Sequence, residues 1–309
     1  MTAYLDGRHL GRTHVFGAAI VGNGPFGLID CGPDTCFAGL VAGLHEMGRR
    51  PEDVSHILVT HIHLDHSGGA WRWAREFGTT ICVHPRGAAH LLAPEKLVAS
   101  ASRIFGADME RLWGDIQPVP PERLRVLQDN ETIEIGGAVL QALDTPGHAH
   151  HHHAYWLAAE RTLFAGDVAG VAIHGGPVLP PCPPPDISLE AWRTSLARLR
   201  ALRPEQLYVA HFGTLERPLE RFDEMERRLH EWADWVRGRL QAGLTEEQII
   251  PEFQKRVEQE LLAAGVPHEG LSAYEQADPA AMSVNGLARY WKRQERGTPP
   301  AAPTPPPAG

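Results

Sequence analysis

Residues 60–69, THIHLDHSGG, place three histidines and one aspartate within six positions. Imidazole nitrogens and carboxylate oxygens at that density can converge on a divalent metal ion. In an extended segment His61 and His63, two residues apart, point to the same side, while Asp65 and His66 turn toward a neighbouring point as the chain enters a helix. One segment can thus serve two ions. A lone HxH pair is more often a pair of surface histidines, but four ligand-type residues in six positions make a chance loop a poor explanation. Three single residues stand in related settings: His148 in DTPGH, Asp167 in FAGD and His211 in YVAHFG each follow an apolar run and lie beside glycine. Taken alone, each reads as a cap or a satisfied polar residue. Taken with residues 60–69, they complete two ligand sets. Asp30, in IDCGP, ends one more apolar run.

The elements that must position these residues alternate in type. Residues 15–30 give two β-branched runs around Asn23-Gly24-Pro25, the pattern of a β-hairpin. Helical spacing of Phe37, Leu40, Val41, Leu44 and Met47 predicts a helix over 35–48. HILVT and TTICVH read as strands, with a helix through WRWAREF opened by Gly68-Gly69. Residues 85–117 read as mainly helical and as a cap over a site. Prolines 118, 120 and 121 end them before strands at 132–135 and 138–143. YWLAAERTLFAGD supplies a hairpin ending on Asp167, PVLPPCPPPD an irregular loop, LEAWRTSLARLRAL an amphipathic helix and LYVAH a last strand. This alternation predicts an α/β sandwich. Beyond Gly213 only helices are expected, over 219–241, 245–264 and 279–294, with Thr245 and Gln248 spaced as a capping box. The expected division is a catalytic domain over 1–218, a helical region over 219–296 and a disordered proline-rich tail over 297–309.

Bulk properties narrow the function. At 309 residues, with 43% apolar and 22% charged residues, the chain can bury a sizeable core. A net charge of -9 gives no basic field for nucleic acid, so a small-molecule substrate is expected. Cys31, Cys36, Cys82 and Cys182 are scattered and read as small buried hydrophobes of a reduced protein. The first residues lack the pattern of a secretory leader, and nowhere do eighteen apolar residues run together, so the expectation is a cytoplasmic protein with no membrane partner. Of the run His150 to His153, one residue is expected near the site and the rest at the surface, because alternating strand residues cannot all face one ion. His84, His174 and His268 read as structural, and Trp71, Trp73, Trp232 and Trp235 as core packing.

HIHLDH, DTPGH, FAGD and VAH, in this order and at these separations, resemble the metal-binding motifs of the metallo-β-lactamase superfamily over roughly residues 13–215. The resemblance implies a four-layer αββα sandwich with a C-terminal helical extension. It also implies that His61, His63 and His148 hold one ion and Asp65, His66 and His211 a second, that Asp167 bridges them, and that Asp30 supports the site without binding metal. No ligand is a cysteine. The intact HxHxDH resembles the glyoxalase II, lactonase and ribonuclease Z side of the superfamily, within a little-characterised group of prokaryotic metallo-hydrolases.

The chemistry implied is hydrolysis of a small ester, thioester or lactone by a hydroxide held between two divalent ions, with Asp65 steering a proton. Zinc is the expected occupant, although nitrogen and oxygen ligands also accept iron or manganese. Two alternatives stand beside it. One is a mononuclear-iron oxidoreductase acting on persulfides; the other is a ribonuclease Z-like phosphodiesterase, whose basic arm the sequence lacks. The basic residues of a typical glyoxalase II are not evident after Asp167, and Trp192 is the nearest aromatic to where a quorum-quenching lactonase carries a tyrosine. The C-terminal helices either cover the metal pocket or pair two subunits; faces such as Phe222, Met225 and Leu229 are most simply explained by packing on the sandwich, with a homodimer contact as the alternative.

Overall fold

A computed structural model describes residues 3–297. Twelve strands form two six-stranded sheets among these residues. The first takes β1 (Tyr4–Asp6), β2 (Gly17–Val21), β3 (Phe26–Ile29), β4 (Val54–Leu58), β5 (Thr80–Val83) and β6 (Leu124–Val126) in sequence order. Its first three strands are antiparallel and the rest parallel. The second runs from β7 (Thr132–Ile135), β8 (Ala138–Asp144), β9 (His153–Leu157) and β10 (Thr162–Phe164) to β11 (Gln206–Val209) and β12 (Gly213–Leu215). It is antiparallel except where β10 and β11 run parallel.

Period-two side-chain alternation sorts these strands into layers. In β2, Ala19 and Val21 enter the core between the sheets, whereas Ala18 and Ile20 face the other way. In β5, Cys82 lies between the sheets and Ile81 and Val83 lie outside. In β9, Tyr155 and Leu157 lie between the sheets and Ala154 and Trp156 outside. Three buried clusters result, and three interfaces make four layers: helix, sheet, sheet, helix. Each fully buried Leu, Ile or Phe contributes about 1.5–3 kcal/mol through its removal from water.

The outer helices match their periodicity. α1 (Phe37–Glu46) and α3 (Ala70–Phe77) cover the first sheet with Leu40, Leu44 and Trp73. A short α2 (Leu64–Ser67) precedes α3. The second sheet is covered by α7 (Leu189–Ala201) together with α8 (Pro218–Gln241), α9 (Glu246–Ala263), α10 (His268–Ala277) and α11 (Ala280–Glu295), whose buried residues share one cluster with the sheet. The capping box at Thr245 and Gln248 opens α9. α10 was not expected: its ten residues carry too short an apolar pattern to stand out alone, and they bury Gly270, Ala273 and Tyr274 against the rest. Residues 85–113 form α4 (Pro85–Leu92), α5 (Glu95–Phe105) and α6 (Met109–Trp113).

All four cysteines are free and buried. Burial holds the Cys82 thiol up at about 12. Trp73 and Trp232 lie in the core, and Trp71 and Trp235 pack partly buried against it. No helix among the described residues is long and apolar enough to cross a membrane. The expected tail, apart from Gly297, and the His174 side chain lie outside what is described.

Candidate metal centre

His61, His63, Asp65 and His66 follow β4, His148 follows β8, Asp167 follows β10 and His211 follows β11, so both sheets deliver these side chains to one edge of the sandwich. There the seven side chains fall into two groups. His61 Nε2, His63 Nδ1 and His148 Nε2 lie 2.9, 3.0 and 3.2 Å apart. His66 Nε2 and His211 Nε2 are 3.2 Å apart, with Asp65 Oδ2 3.6 and 3.4 Å from them. Asp167 stands between the groups: Oδ2 is 3.5 Å from His148 Nε2, and Oδ1 is 3.3 Å from His66 Nε2.

Hydrogen bonds behind the rings fix which nitrogens are free. His148 donates through Nδ1 to the Pro181 carbonyl at 2.8 Å, and His211 donates through Nδ1 to the Val15 carbonyl. Asp30, in the left-handed region at φ 59, accepts from the Thr60 backbone N–H at 2.7 Å, from the Thr60 hydroxyl at 2.8 Å and from His66 Nδ1 at 2.9 Å. With its proton committed to Asp30, the Thr60 hydroxyl accepts from His61 Nδ1 at 3.1 Å. The Nε2 atoms of His61, His66, His148 and His211 therefore all turn lone pairs inward. Lone pairs about 3 Å apart repel unless a cation lies between them, and two carboxylates face the same space. The Asp167 Oδ1 atom is buried without a hydrogen-bond partner. This donor set fits divalent metal ions.

The electrostatics agree with that fit. Burial, reinforced by His66 and His63, holds His61 well below the ordinary imidazole value, and burial brings His148 to about 4. At His66 burial acts in the same direction, but Asp167, Asp65 and Asp30 outweigh it and raise the ring well above that value. Burial would likewise raise Asp167, yet His66 and His211 hold it low. Positive charge is favoured most at the second group.

The histidine run differs from expectation. His152 and His153 are fully buried, and the side chains of His150 and His151 are only 22% and 12% exposed. The strand starts at His153, so residues 146–152 form an irregular excursion to which alternation does not apply. His152 stacks on His61, with ring centroids 5.1 Å apart, and bonds Thr145 Oγ1 at 2.8 Å. His151 lines the cavity beside His63. His84, Asp144 and His153 form a further cluster with metal-ligand chemistry. There the Arg86 backbone N–H donates to His84 Nδ1 at 3.0 Å, which places the His84 proton on Nε2, facing Asp144 Oδ1 at 3.1 Å. That ring is already satisfied on both sides, as a structural reading of His84 requires.

A cavity of about 390 Å³ opens onto His63, Asp65, His148, Asp167 and His211, with His61 and His66 buried behind them. Its walls include side chains of α5 and α6, the loop Pro183 to Asp186, Asp278 between α10 and α11, and Met282 of α11. The sequence points to the C-terminal helices as a cover for the pocket but not to these particular residues, because a cavity wall has no ligand spacing of its own. Trp192 forms part of the support: its ring meets His148 edge-on at 5.8 Å and its Nε1 donates to the Val168 carbonyl. Gly147 makes that approach possible, since a Cβ there would lie 2.4 Å from Trp192 Cα.

The Metallo-beta-lactamase superfamily profile matches residues 14–211, and the chain belongs to that superfamily. Among curated relatives, it is 26% identical over 164 residues to the atrochrysone carboxyl ACP thioesterase of Aspergillus fumigatus, covering 52% of this chain and 28% of that protein. It is 31% identical over 179 residues to the hydroxyacylglutathione hydrolase of Methylococcus capsulatus, covering 58% and 55%. The chain spans less than two thirds of the length of the first curated relatives it matches. Its fold is similar to that of the metallo-beta-lactamase family protein TTHA1429 from Thermus thermophilus, with a TM-score of 0.62, 22% identity and coverage of 94% and 92%.

Proposed function

We propose that the protein is a metal-dependent hydrolase of a small ester, thioester or lactone. In this reading His61, His63 and His148 hold one divalent ion, Asp65, His66 and His211 hold another, and Asp167 serves both, with zinc as the proposed occupant. The observation that carries it is the inward convergence of four imidazole lone pairs and two carboxylates, each imidazole held from behind. The relatives named as a thioesterase and a hydroxyacylglutathione hydrolase support an acyl substrate.

When bound, divalent ions at these points supply Lewis acidity and activate water near neutral pH. The chain's own contribution is orientation. Asp30 and Thr60 set the faces of His61 and His66, while Pro181 sets His148 and Val15 sets His211. Both carboxylates line the cavity, and Asp65, with 28% of its side chain exposed where Asp167 has 6%, is the more accessible one and moves a proton there.

Elemental analysis of the purified protein, run with an oxygen electrode and a panel of thioesters, lactones and phosphodiesters, tests this. About two metals per chain with chelator-sensitive acyl hydrolysis is the expected result. About one iron with oxygen uptake on a persulfide replaces the hydrolase reading with an oxidoreductase. In a metal-replete Asp65→Asn variant turnover falls; full turnover removes Asp65 from proton transfer.

A further inference from the structure

Helix α5 carries Leu97, Ala101, Ile104 and Phe105 at the spacing of an apolar helical stripe. Such a stripe ordinarily lies against a core. Here only Ala101 is buried, and Ile104 remains 44% exposed. The stripe is instead a wall of the cavity that reaches the histidine and aspartate cluster, and Leu112, Trp113 and Met282 continue the apolar surface. Little fixed positive charge stands against it: Lys96 is the one lysine or arginine among the described lining residues, beside the carboxylates Asp65, Asp167, Asp186 and Asp278. A peptide-like or multiply anionic substrate would leave its polar groups unpaired along this wall, a cost that an alkyl or aryl group avoids.

We propose that the substrate is an ester or thioester of an apolar acyl group, whose chain lies along α5 with its carbonyl at the cluster. The inference rests on the hydrolase reading above and adds the substrate class. In the reaction the water oxygen bonds to the acyl carbon and the carbon–oxygen or carbon–sulfur bond breaks. The acid leaves on one side, and the alcohol or thiol, carrying a proton from water, leaves on the other. From Leu97 to Phe105 the helix rises about 12 Å, which suits an acyl chain of medium length.

The test has two arms, both on the full-length, metal-loaded protein. In the first, kcat/KM is measured for acetyl, butyryl, hexanoyl and octanoyl thioesters of one thiol, and for the matching aryl esters. The expected result is a rise of roughly three- to fourfold per methylene until the wall is covered. A flat or falling series overturns the inference while leaving the hydrolase reading intact. In the second, acetate, hexanoate and octanoate are titrated calorimetrically as product probes, which needs no turnover. Affinity that climbs with chain length, and ceases to climb in Leu97→Asp and Ile104→Asp, supports the apolar acyl site; the same climb with no ester or thioester hydrolysed overturns the substrate assignment together with the hydrolase reading. Equal affinity for acetate and octanoate overturns the proposal. Both substitutions lie on a surface outside the buried core, and far-ultraviolet circular dichroism confirms that each variant is folded.

Discussion

Gly286 meets the carbonyl of Cys182 so closely that a Cβ at residue 286 would lie 1.8 Å from the carbonyl oxygen. One turn earlier on α11, the Ser283 hydroxyl accepts from the Cys182 N–H at 3.1 Å and donates to Asp278 at 3.0 Å. The next residue back along the loop is Pro181, whose carbonyl takes the proton of His148 Nδ1. A helix outside residues 14–211 therefore sets the position of a candidate ligand. Gly286→Ala forces α11 and this loop apart, and overpacking of this kind costs roughly 1–3 kcal/mol. Thermal unfolding should show a lower Tm, and chelator competition a weaker hold on metal. A variant with unchanged Tm and metal retention would show that the contact does not position His148.

Asp30 gathers three donors from Thr60 and His66. Asp30→Asn keeps the shape and suits the left-handed backbone, but it loses the charge and turns an amide toward groups that need an acceptor. We expect metal affinity to fall roughly 10- to 100-fold, the usual size of an outer-partner effect. Competition against a chromogenic chelator measures it. Parent-like affinity would make Asp30 a turn residue only.

Asp278 gives a pH dependence with a definite sign. Burial raises its carboxyl well above the ordinary aspartate value, the Ser283 hydroxyl counters part of that, and Asp167 and Glu275 add to the rise. A folded value above the unfolded one means that this group's stabilising contribution is complete below the unfolded value and is lost as pH climbs through the folded value. At neutral pH, above the unfolded value, the group costs stability, because folding must either take up a proton or bury a charge there. Asp278→Asn should therefore gain stability relative to the parent at pH 7 and not at pH 4, as read from urea unfolding. An equal shift at both pH values would contradict the assignment.

The His84 proton, placed on Nε2 by the Arg86 N–H, predicts that this ring takes no metal. His84→Gln should leave the metal content per chain unchanged in elemental analysis. Loss of one equivalent would reverse that conclusion and make His84, Asp144 and His153 a metal site.

The seven clustered residues could be read from the sequence because each stands just past an apolar run, often beside glycine. Strand ends of a two-sheet sandwich meet at one edge, so local patterns sufficed to bring Asp167 and His211 beside residues 60–69. The histidine run could not be read in the same way. The burial of His152 and His153 depends on an irregular path from 146 to 152 that no periodicity encodes. Helix α10 escaped notice because a ten-residue helix is stabilised more by its tertiary contacts, Tyr274 donating to the Pro177 carbonyl among them, than by its own pattern. The α5 segment reads from the sequence as part of a helical cap over a site, and its apolar stripe does line the cavity; which of its residues would face that space depended on how the sheets were placed.

His61, His63, Asp65 and His66 hang from the first sheet, and His148, Asp167 and His211 from the second. Any ion they share is consequently a clasp across the two halves of the sandwich, closed only when the halves are in register. Its binding energy counts toward holding them together, because an unfolded chain offers no such pocket. A chelator would then act on this protein as a mild denaturant as well as an inhibitor, and a destabilised variant could be rescued by metal rather than by a compensating mutation.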